Sequence, residues 1–565
     1  MTSCGIDLGT TNSLISVLED GVPKLVRNAL GGVLTPSVVG LADDGSVLVG
    51  QAAKERLITQ PGKTAASFKR FMGSAHATVL DRKTFRPEEL SALVLRALKA
   101  DAEAYLGKPL DEAVISVPAY FNDHQRKATM DAGRLAGLKV ERLVNEPTAA
   151  ALAYGFGDVG EGKYLIFDLG GGTFDVSILD KYEDVMEIRA TTGDTRLGGD
   201  DFTQIVEAMI ARADSFDIKS LAADDRARLN RAAETLKVNL STAHEASYAI
   251  RLGSASIEGR ITRQAYETDC AGLLRRLRGP TERALVDAQM TPADFDAVVL
   301  VGGATRSPMV RSLVGRLFHK LPLVSIDPDT TVALGAATQA GLVRRDGGLK
   351  DIVMTDVSPY TLGVATLDVT NRSEPTLYVS PVIQRNAVVP ISRTIRLTTI
   401  KDDQTTVSVD VYQGEHLRPE SNVHLGSLDV TVPAKREGDE SIEVRFTYDI
   451  NGALEVEVTV LSTQTRLAKI FRNASGLSED ELTARFQKLS GIKLSPREQM
   501  ENRALLERAE RLYSEQSLAN REILRRAISS FERDIAEQAR RDIDELRTAF
   551  AAFLDTLETS PFGSA

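Results

Sequence analysis

A glycine-rich stretch at residues 167–175, Phe-Asp-Leu-Gly-Gly-Gly-Thr-Phe-Asp, constrains the fold of this chain more than any other feature. Apolar runs of strand type precede and follow it, so the pattern predicts a tight hairpin with the glycines at its turn. Without Cβ atoms, such a turn bends sharply and points its backbone N–H groups at an anion. Carboxylates at Asp168 and Asp175 would repel a bare phosphate, so the stretch predicts binding of a magnesium nucleotide.

Taken alone, the stretch also fits an ordinary hairpin, but a similar order of residues recurs near the N-terminus. Residues 5–13 read Gly-Ile-Asp-Leu-Gly-Thr-Thr-Asn-Ser and lead into an apolar run. Duplication over a domain-sized distance predicts two similar halves that hold phosphates between one hairpin from each. A third glycine turn, at Gly302 and Gly303 after the strand-like run 297–301, lacks an acid and suits the sugar and base of a nucleotide.

Length, charge and cysteine content limit the class of protein. A chain of 565 residues has room for roughly three or four domains. A formal net charge of −11 without a basic block argues against nucleic-acid binding, which depends on clustered Lys and Arg. Cys4 and Cys270 are the only cysteines, which indicates a reducing compartment. No stretch is apolar enough to cross a membrane, and Met1 leads almost directly into a strand. We therefore expect a cytoplasmic protein without a signal peptide or membrane contact.

The residue pattern changes twice along the chain. Up to about residue 350, strand-like and helical segments alternate, as in α/β proteins. The segment 351–357, Asp-Ile-Val-Met-Thr-Asp-Val, is short and apolar, so we expect it to add as a strand to a sheet edge. Period-two alternation then predicts a β-sandwich with a hairpin turn at residues 451–452. The last segment is helical, because apolar residues between Leu524 and Leu557 recur every three or four positions.

Three further features have an ordinary structural interpretation when taken alone. Lys69 lies among phenylalanines, where a lysine is most often a solvated surface residue. Glu146 stands at a helix start, where a carboxylate usually interacts only with the helix dipole. Glu234, Lys237 and Ser241 recur at three- and four-residue spacing, which is typical of a salt-bridged helix face.

Together, the motifs resemble those of the heat shock protein 70 family, the DnaK-type chaperones, over essentially the whole chain. The matching stretches are residues 5–13, 117–123, 145–151, 167–175, 193–202 and the linker. The modest length and short ends are most similar to the HscC branch. The resemblance implies a multidomain fold. It comprises an actin-like, two-lobed α/β ATPase domain at 1–350, a linker at 351–357, a β-sandwich peptide-binding domain at 358–470 and a C-terminal α-helical lid at 471–565.

The function implied by the resemblance is that of an ATP-dependent molecular chaperone with a role in stress response. Such a protein is an ATPase that binds and releases exposed apolar segments of unfolded proteins, with hydrolysis coupled through the linker to peptide affinity. Its cofactors would be ATP or ADP with Mg²⁺, and K⁺ is a further candidate. Two alternatives remain. One is a small-molecule kinase of the same two-lobed fold, which would have no use for residues 358–565, and the other is a nucleotide-gated scaffold with negligible turnover.

The resemblance also implies roles for individual residues of the ATPase. Lys69 would be the cation aimed at the γ-phosphate, while Asp7 and Asp168 would hold magnesium through its waters. Glu146 would orient the attacking water. The expected catalytic residues are Asp7, Thr10, Lys69, Glu146, Asp168, Thr173 and Asp175. The expected nucleotide-binding residues are Gly9, Thr10, Thr11, Asn12, Gly170, Gly171, Gly172, Thr173, Glu234, Lys237, Ser241, Gly302, Gly303, Arg306 and Asp329.

Other residues are assigned by the resemblance to coupling and peptide binding. The expected relay comprises Pro118, Arg126 and Asp356, together with Glu146. Thr355 stands where the family usually has leucine, so we expect weaker linker docking and leaky coupling. The residues assigned to the peptide pocket are Leu362, Val364, Leu397, Val407 and Val409, with Leu367 and Ile400 forming an arch over the peptide. For each of these, a place in the sandwich core is the alternative.

The implied partners are extended peptide segments and a J-domain cochaperone that would contact Arg142, Asn145 and Asp356. The segments 69–118 and 168–301 are shorter than in DnaK, which shrinks the outer parts of the lobes. Dependence on the usual exchange factor is therefore doubtful. A short lid without an acidic terminal motif predicts fast peptide exchange and no tail-binding cochaperone.

Overall fold

The computed structural model describes residues 3–155, 160–183, 185–323, 326–344, 353–368, 376–449, 452–471, 479–490, 492–516, 518–537 and 543–559. These residues form two α/β lobes, a β-sandwich and a helical bundle. Within these ranges, every helix is too short or too polar to span a bilayer.

The first lobe is built around a mixed sheet. Its strands are β1 (Ser3–Leu8), β2 (Asn12–Glu19), β3 (Val22–Leu25), β4 (Thr35–Pro36), β5 (Val39–Leu41), β6 (Val47–Val49), β7 (Thr64–Ala65), β8 (Thr78–Leu80), β9 (Lys83–Phe85), β10 (Glu112–Val117) and β11 (Lys139–Asn145). Its helices are α1 (Gln51–Thr59), α2 (Pro87–Leu106) and α3 (Asp123–Leu135). The main sheet has the order β11-β10-β1-β2-β3, and β10 is buried along its whole length.

The second lobe contains a similar sheet with more helices around it. Its strands are β12 (Gly162–Leu169), β13 (Phe174–Tyr182), β14 (Val185–Asp194), β15 (Glu245–Leu252), β16 (Ala255–Thr262) and β17 (Ala297–Val301). Its helices are α4 (Glu146–Gly155), α5 (Gly199–Ala213), α6 (Ala223–Asn239), α7 (Arg263–Asp269), α8 (Ala271–Ala288), α9 (Pro308–Phe318) and α10 (Thr331–Arg344).

The two lobes repeat one local topology, as the duplicated motif predicts. In the first lobe, β1 lies parallel to β10 and antiparallel to β2, which pairs antiparallel with β3. In the second, β12 lies parallel to β17 and antiparallel to β13, which pairs antiparallel with β14. The glycine motifs occupy the β1–β2 and β12–β13 turns, so the equivalent hairpin of each lobe carries one motif.

The linker strand, β18 (Val353–Val357), lies on the edge of the second lobe's sheet. Val353, Met354 and Thr355 pair in parallel register with Val185, Met186 and Glu187 of β14. On its other side β18 pairs with β21 (Val388–Val389), a short strand next to the sandwich. The predicted docking of an apolar linker on a sheet edge is thus confirmed for these residues, whereas Asp351 and Ile352 lie outside the described residues.

The sandwich consists of two four-stranded antiparallel sheets around an apolar core. One has the order β20-β19-β23-β24 and the other β22-β25-β26-β27. The strands are β19 (Leu362–Asp368), β20 (Thr376–Ile383), β22 (Ile391–Thr398), β23 (Thr406–Gln413), β24 (Val423–Thr431), β25 (Ser441–Tyr448), β26 (Leu454–Val460) and β27 (Arg466–Phe471). β25 and β26 form the expected hairpin, although Asn451 in its turn lies outside the described residues.

The C-terminal helices are α11 (Glu479–Ser490), α12 (Met500–Glu515), α13 (Leu518–Glu537) and α14 (Ile543–Thr559). The predicted apolar positions of the last two helices share one core, in which the rings of Phe531 and Phe550 stack 4.2 Å apart. The bundle also packs on the first lobe, because Leu482, Leu489 and Ile492 join that lobe's core. All four parts of the described chain are therefore in contact.

Candidate nucleotide site

The two predicted glycine turns face each other across the interface between the lobes. A Cβ placed on Gly171 would lie 1.9 Å from the hydroxyl oxygen of Thr11, and one on Gly172 would lie 2.9 Å from that of Thr10. Any side chain at Gly171 would thus collide with the opposite hairpin. The amide of Gly170 donates to the carbonyl of Thr173 (3.0 Å), which closes the second turn.

The third turn meets the second hairpin at its base. Gly302 has φ of +81°, and a Cβ there would lie 2.4 Å from the carbonyl oxygen of Leu169. A Cβ on Gly303 would likewise collide with the carboxylate of Asp329. That carboxylate accepts a hydrogen bond from Arg306 (2.8 Å). The expected base and ribose residues of this turn therefore lie next to the expected phosphate turn.

Glu234 and Lys237 of α6, and Ser241 just after that helix, are the other residues assigned to the nucleotide. The ammonium of Lys237 lies 2.6 Å from the carboxylate of Glu234 and donates to the carbonyl of Gly199 (3.1 Å). The hydroxyl of Ser241 donates to the carbonyl of Lys237 (3.3 Å). The amide of Gly199 in turn donates to the carbonyl of Gly170 (2.9 Å). All of these contacts lie within the second lobe, and the pair of Glu234 and Lys237 is the salt bridge that the spacing predicts, here beside the second glycine turn.

Lys69 is buried beside the glycine turns, not solvated. It lies in a short 3₁₀ helix and is only 3% exposed. Its ammonium donates to Glu146 Oε1 (2.8 Å) and stands 5.7 Å from the ring centre of Phe121. Glu146 begins α4 and is itself buried, so the helix start supplies a fixed partner for the lysine.

Three more carboxylates surround this ion pair, and burial raises the pKa of each. Burial and the charge of Glu146 raise the pKa of Asp7 to about 7, although the Ser116 hydroxyl donates to it (2.8 Å). The same two causes raise the pKa of Asp175 to about 8 and that of Asp168 well above its ordinary value. Four acids around a single lysine leave a deficit of positive charge that a bound cation would relieve.

The residues present fit a hydrated magnesium ion. Asp168 Oδ2 is buried without a hydrogen-bond partner, as expected for an atom that needs a ligand. In the described part of the chain, no three acidic, His or Cys side chains are grouped closely enough to ligate a metal directly. Asp7 and Asp168 would therefore hold the ion through its waters, which Mg²⁺ releases reluctantly.

Contacts between the lobes next to Lys69 were not foreseen from the sequence. The hydroxyl of Ser67 donates to Asp200 Oδ2 (3.0 Å), and the guanidinium of Arg70 binds both oxygens of Asp201 (2.9 and 3.2 Å). The two acids open α5, directly after the Gly198-Gly199 pair. These residues belong to the 193–202 stretch that the motif comparison identified, but nothing in the sequence indicated their partners.

A chain of hydrogen bonds joins the segment next to the ion pair to the linker strand. Arg126 donates to Asn145 Oδ1 (2.5 Å), and the amide nitrogen of the Asn145 side chain donates to Asp356 Oδ2 (2.7 Å). The hydroxyl of Thr148 donates to the same oxygen of Asp356 (3.1 Å). Asn145 is the residue before Glu146, so one backbone segment contacts both the lysine and the linker.

The other residues of the expected relay and cochaperone site lie around this chain. Pro118 is buried after β10, and its carbonyl accepts from the amide of Phe121 (3.1 Å). Arg142 lies in β11, where its Nε is buried without a hydrogen-bond partner among the described residues. Thr355 has a buried hydroxyl that likewise has no partner in the described part of the chain.

The residues assigned to the peptide pocket separate into two groups. Leu362, Val364 and Val409 are at most 1% exposed and belong to the sandwich core. Leu397 and Val407 are partly buried at the edge of that core. Leu367 is also partly buried, whereas Ile400 is 37% exposed beyond β22. In this conformation the three fully buried residues are therefore part of the sandwich core, which is the alternative interpretation given for each of them.

The sandwich also contacts the lobes through side chains that no motif assigned to an interface. Arg385 binds Asp287 of α8 (2.7 Å), and the phenol of Tyr360 donates to the carbonyl of Tyr120 (2.9 Å). Side chains so distant in sequence give no periodic or local signal, so their pairing became evident only from the structure.

Comparison with known proteins agrees with this architecture. The family model described as Hsp70 protein matches residues 3–84 and 74–559, so it includes the lobes, the sandwich and the helical bundle. Among curated proteins, Chaperone protein dnaK3 of Thermosynechococcus vestitus is 40% identical, with 96% of this chain and 83% of the relative covered. A match that extends across the sandwich argues against a small-molecule kinase. The chain therefore belongs to the heat shock protein 70 family, and it is an ATP-dependent molecular chaperone with ATPase activity.

Proposed function

We propose that this chaperone binds extended apolar peptide segments in its sandwich and releases them when ATP binds between the lobes. The observation that carries the proposal is the unbroken series of contacts from Lys69 through Glu146 and Asn145 to Asp356. The proposed units are the ATPase domain at 1–350, the linker at 351–357, the sandwich at 358–470 and the lid at 471–565.

In the ATPase, each side chain would act on the phosphates from a fixed position. Lys69 is held by Glu146 with its charge directed into the cleft, where it would neutralise charge that develops on the γ-phosphate. Thr10 and Thr173 would donate to phosphate oxygens from opposite hairpins, while Glu146 would orient the attacking water. Bound Mg²⁺ would neutralise phosphate charge from the side of Asp7 and Asp168.

The linker would report on this site because its position depends on the same residues. ATP needs only to bind the docked form more tightly than the undocked form, and a nearly complete switch takes ~5 kcal/mol of differential affinity. In the docked form Asp356 is occupied by Asn145 and Thr148. A J-domain cochaperone that contacts Arg142, Asn145 and Asp356 would compete for these groups and promote release of the linker.

The decisive experiment measures release of a fluorescent apolar peptide after addition of ATP. We expect release to accelerate with ATP and not with ADP, and equal rates would refute the coupling. Lys69→Ala should abolish hydrolysis but retain most ATP binding, because the lysine acts mainly on the transition state. Lys24→Ala, which removes an exposed lysine of the same lobe, is the matched control and should change neither property.

A further inference from the structure

Charged side chains from both lobes and from the helical bundle meet at one point. Arg231 of α6 in the second lobe binds Glu55 of α1 in the first lobe (3.0 Å) and Glu558 of α14 (3.2 Å). Arg511 of α12 also binds Glu55 (2.6 Å) and pairs with Glu558. The two arginines and two glutamates thus form a closed ring in which each acid contacts each base.

The centre of this ring is buried and fully partnered. Arg511 is 2% exposed and Glu55 is 3% exposed. The second oxygen of Glu55 accepts from the side chain of Gln51 (2.5 Å), and Arg511 also binds Glu515 (2.6 Å). Burial alone would raise the pKa of Glu55, but the guanidinium groups of Arg231 and Arg511 lower it, so the carboxylate stays charged. Loss of one partner from such a ring leaves an uncompensated buried charge.

The ring lies where separation of the lobes would open the candidate site. Arg231 is one helical turn before Glu234, whose neighbour Lys237 contacts the Gly199 carbonyl beside the second glycine turn. Separation of the lobes would free a ligand held between the two hairpins, and α1 and α6 carry the acid and base that join the lobes here. The terminal helix α14 binds this joint from outside through Glu558.

We propose that the lid has a further function, which is to restrain release of the nucleotide by bridging the two lobes at this ring. This inference rests on the proposed function, because it requires a nucleotide between the hairpins. In the docked form the lobes are joined both directly, by Glu55 and Arg231, and indirectly through Arg511 and Glu558. Once the lid leaves, only the direct pair remains.

The bridge would act differently on the two nucleotides. ATP favours docking in the proposed cycle, so the lid would hold ATP in place until it is hydrolysed. ADP would be present after undocking, when only the direct pair between Glu55 and Arg231 joins the lobes, and it would dissociate faster than ATP.

The test measures dissociation of fluorescent ATP and fluorescent ADP from the full chain, each chased with unlabelled nucleotide. The ATP arm uses the Lys69→Ala background so that ATP is not consumed. Glu558→Gln should accelerate ATP release about tenfold and leave ADP release unchanged, because only the docked form contains the contact. Arg231→Gln should accelerate both, since it also removes the direct pair. Glu522→Gln, in an exposed pair within α13, is the matched control and should change neither rate.

The inference is overturned if Glu558→Gln releases ATP at the parental rate, or if it accelerates ATP and ADP equally. Circular dichroism of each variant establishes that the chain is folded. Failure of the proposed function would look different, because ATP would then fail to accelerate release of the fluorescent apolar peptide from every one of these chains, including the control.

Discussion

The linker strand and the lid attach the C-terminal half of the chain to the ATPase lobes in contrasting ways. The lid is held by buried ion pairs and by apolar side chains that complete the first lobe's core. The linker strand is held by a short parallel pairing and by Asp356, and it leaves the Thr355 hydroxyl buried without a partner in the described residues. The lid contact is extensive and involves buried charges and core side chains, whereas the linker contact is small and one residue from Glu146.

This difference indicates a division of roles. A contact that consists of buried ion pairs and core side chains can hold the docked form but responds little to small changes at the phosphates. A weak contact beside the catalytic ion pair can respond to small changes there, because little free energy is needed to shift it. Each of the following substitutions should therefore affect either the stability of the docked form or its response to the nucleotide.

The largest effect should come from Arg511→Ala in the lid. The variant leaves Glu55 buried opposite Glu558 without the central guanidinium, which typically costs about 3–5 kcal/mol. We expect the lid to undock even with ATP. Spin labels at the exposed positions Lys54 of α1 and Arg526 of α13 would measure the distance between the first lobe and the lid, which should be longer in the variant than in the parent. The native cysteines are buried and would not be labelled. An unchanged distance with ATP would show that the ring does not hold the lid.

Asp356→Asn should displace the linker less than Arg511→Ala displaces the lid. It should nevertheless weaken the coupling between ATP binding and peptide release directly. The carboxylate accepts two side-chain hydrogen bonds, and loss of its charge should weaken them by about 1–3 kcal/mol. ATP-triggered peptide release should slow about tenfold while ATP affinity stays near the parental value. Asp429→Asn, at an exposed acid of the sandwich, is the control. If Asp356→Asn releases peptide at the parental rate, the linker does not transmit ATP binding to the sandwich through Asp356.

Thr355→Val should strengthen docking of the linker, whereas Asp356→Asn should weaken it. The substitution removes a buried hydroxyl that lacks a partner and keeps the branched shape, so docking of the linker should gain about 1 kcal/mol or somewhat more. Peptide release without added nucleotide should become faster, because more of the chain is docked at rest. Thr431→Val replaces an exposed threonine and should have no effect. Slower release in Thr355→Val would mean that the hydroxyl stabilises the docked strand.

The smallest effect is a pH dependence shared by both attachments. Burial raises the pKa of Asp123, beside the sandwich, and of Asp101, beside the lid's Arg497, to about 6 in each case. If undocking restores an ordinary value of about 4, the docked form binds protons more tightly. Docking should therefore strengthen about threefold as pH falls from 7 to 6, and the Asp101→Asn, Asp123→Asn double variant should lose this dependence. Docking that weakens over this range would contradict the assignment.

Local sequence features predicted much of the fold and part of the site. The paired glycine turns were predictable because Gly171 faces Thr11 at a distance that excludes any side chain, a constraint that appears directly in the residue types. The lid core was predictable because Phe531 and Phe550 follow the helical period. In both cases the residue types of a short stretch reveal the constraint, although the contact between Gly171 and Thr11 itself joins distant parts of the chain.

Contacts between distant segments were not predictable in this way. The partners Arg511 and Glu55, or Arg385 and Asp287, are charged residues with no pattern that distinguishes them from solvated ones. Lys69 and the Glu234 face were identified by family resemblance alone, since taken singly each fits a surface role. The HscC-branch assignment and the expected exchange-factor independence stay predictions.

Hydrogen exchange of the two attachments with ATP and with ADP tests the account most directly. The amides of Val47 and Ser495 join the lid connection to β6 by hydrogen bonds of 2.8 Å, and those of Val353–Val357 report on the linker strand. The account predicts slow exchange at both attachments with ATP and fast exchange at both with ADP. Equal protection of both attachments in the two nucleotide states would contradict it.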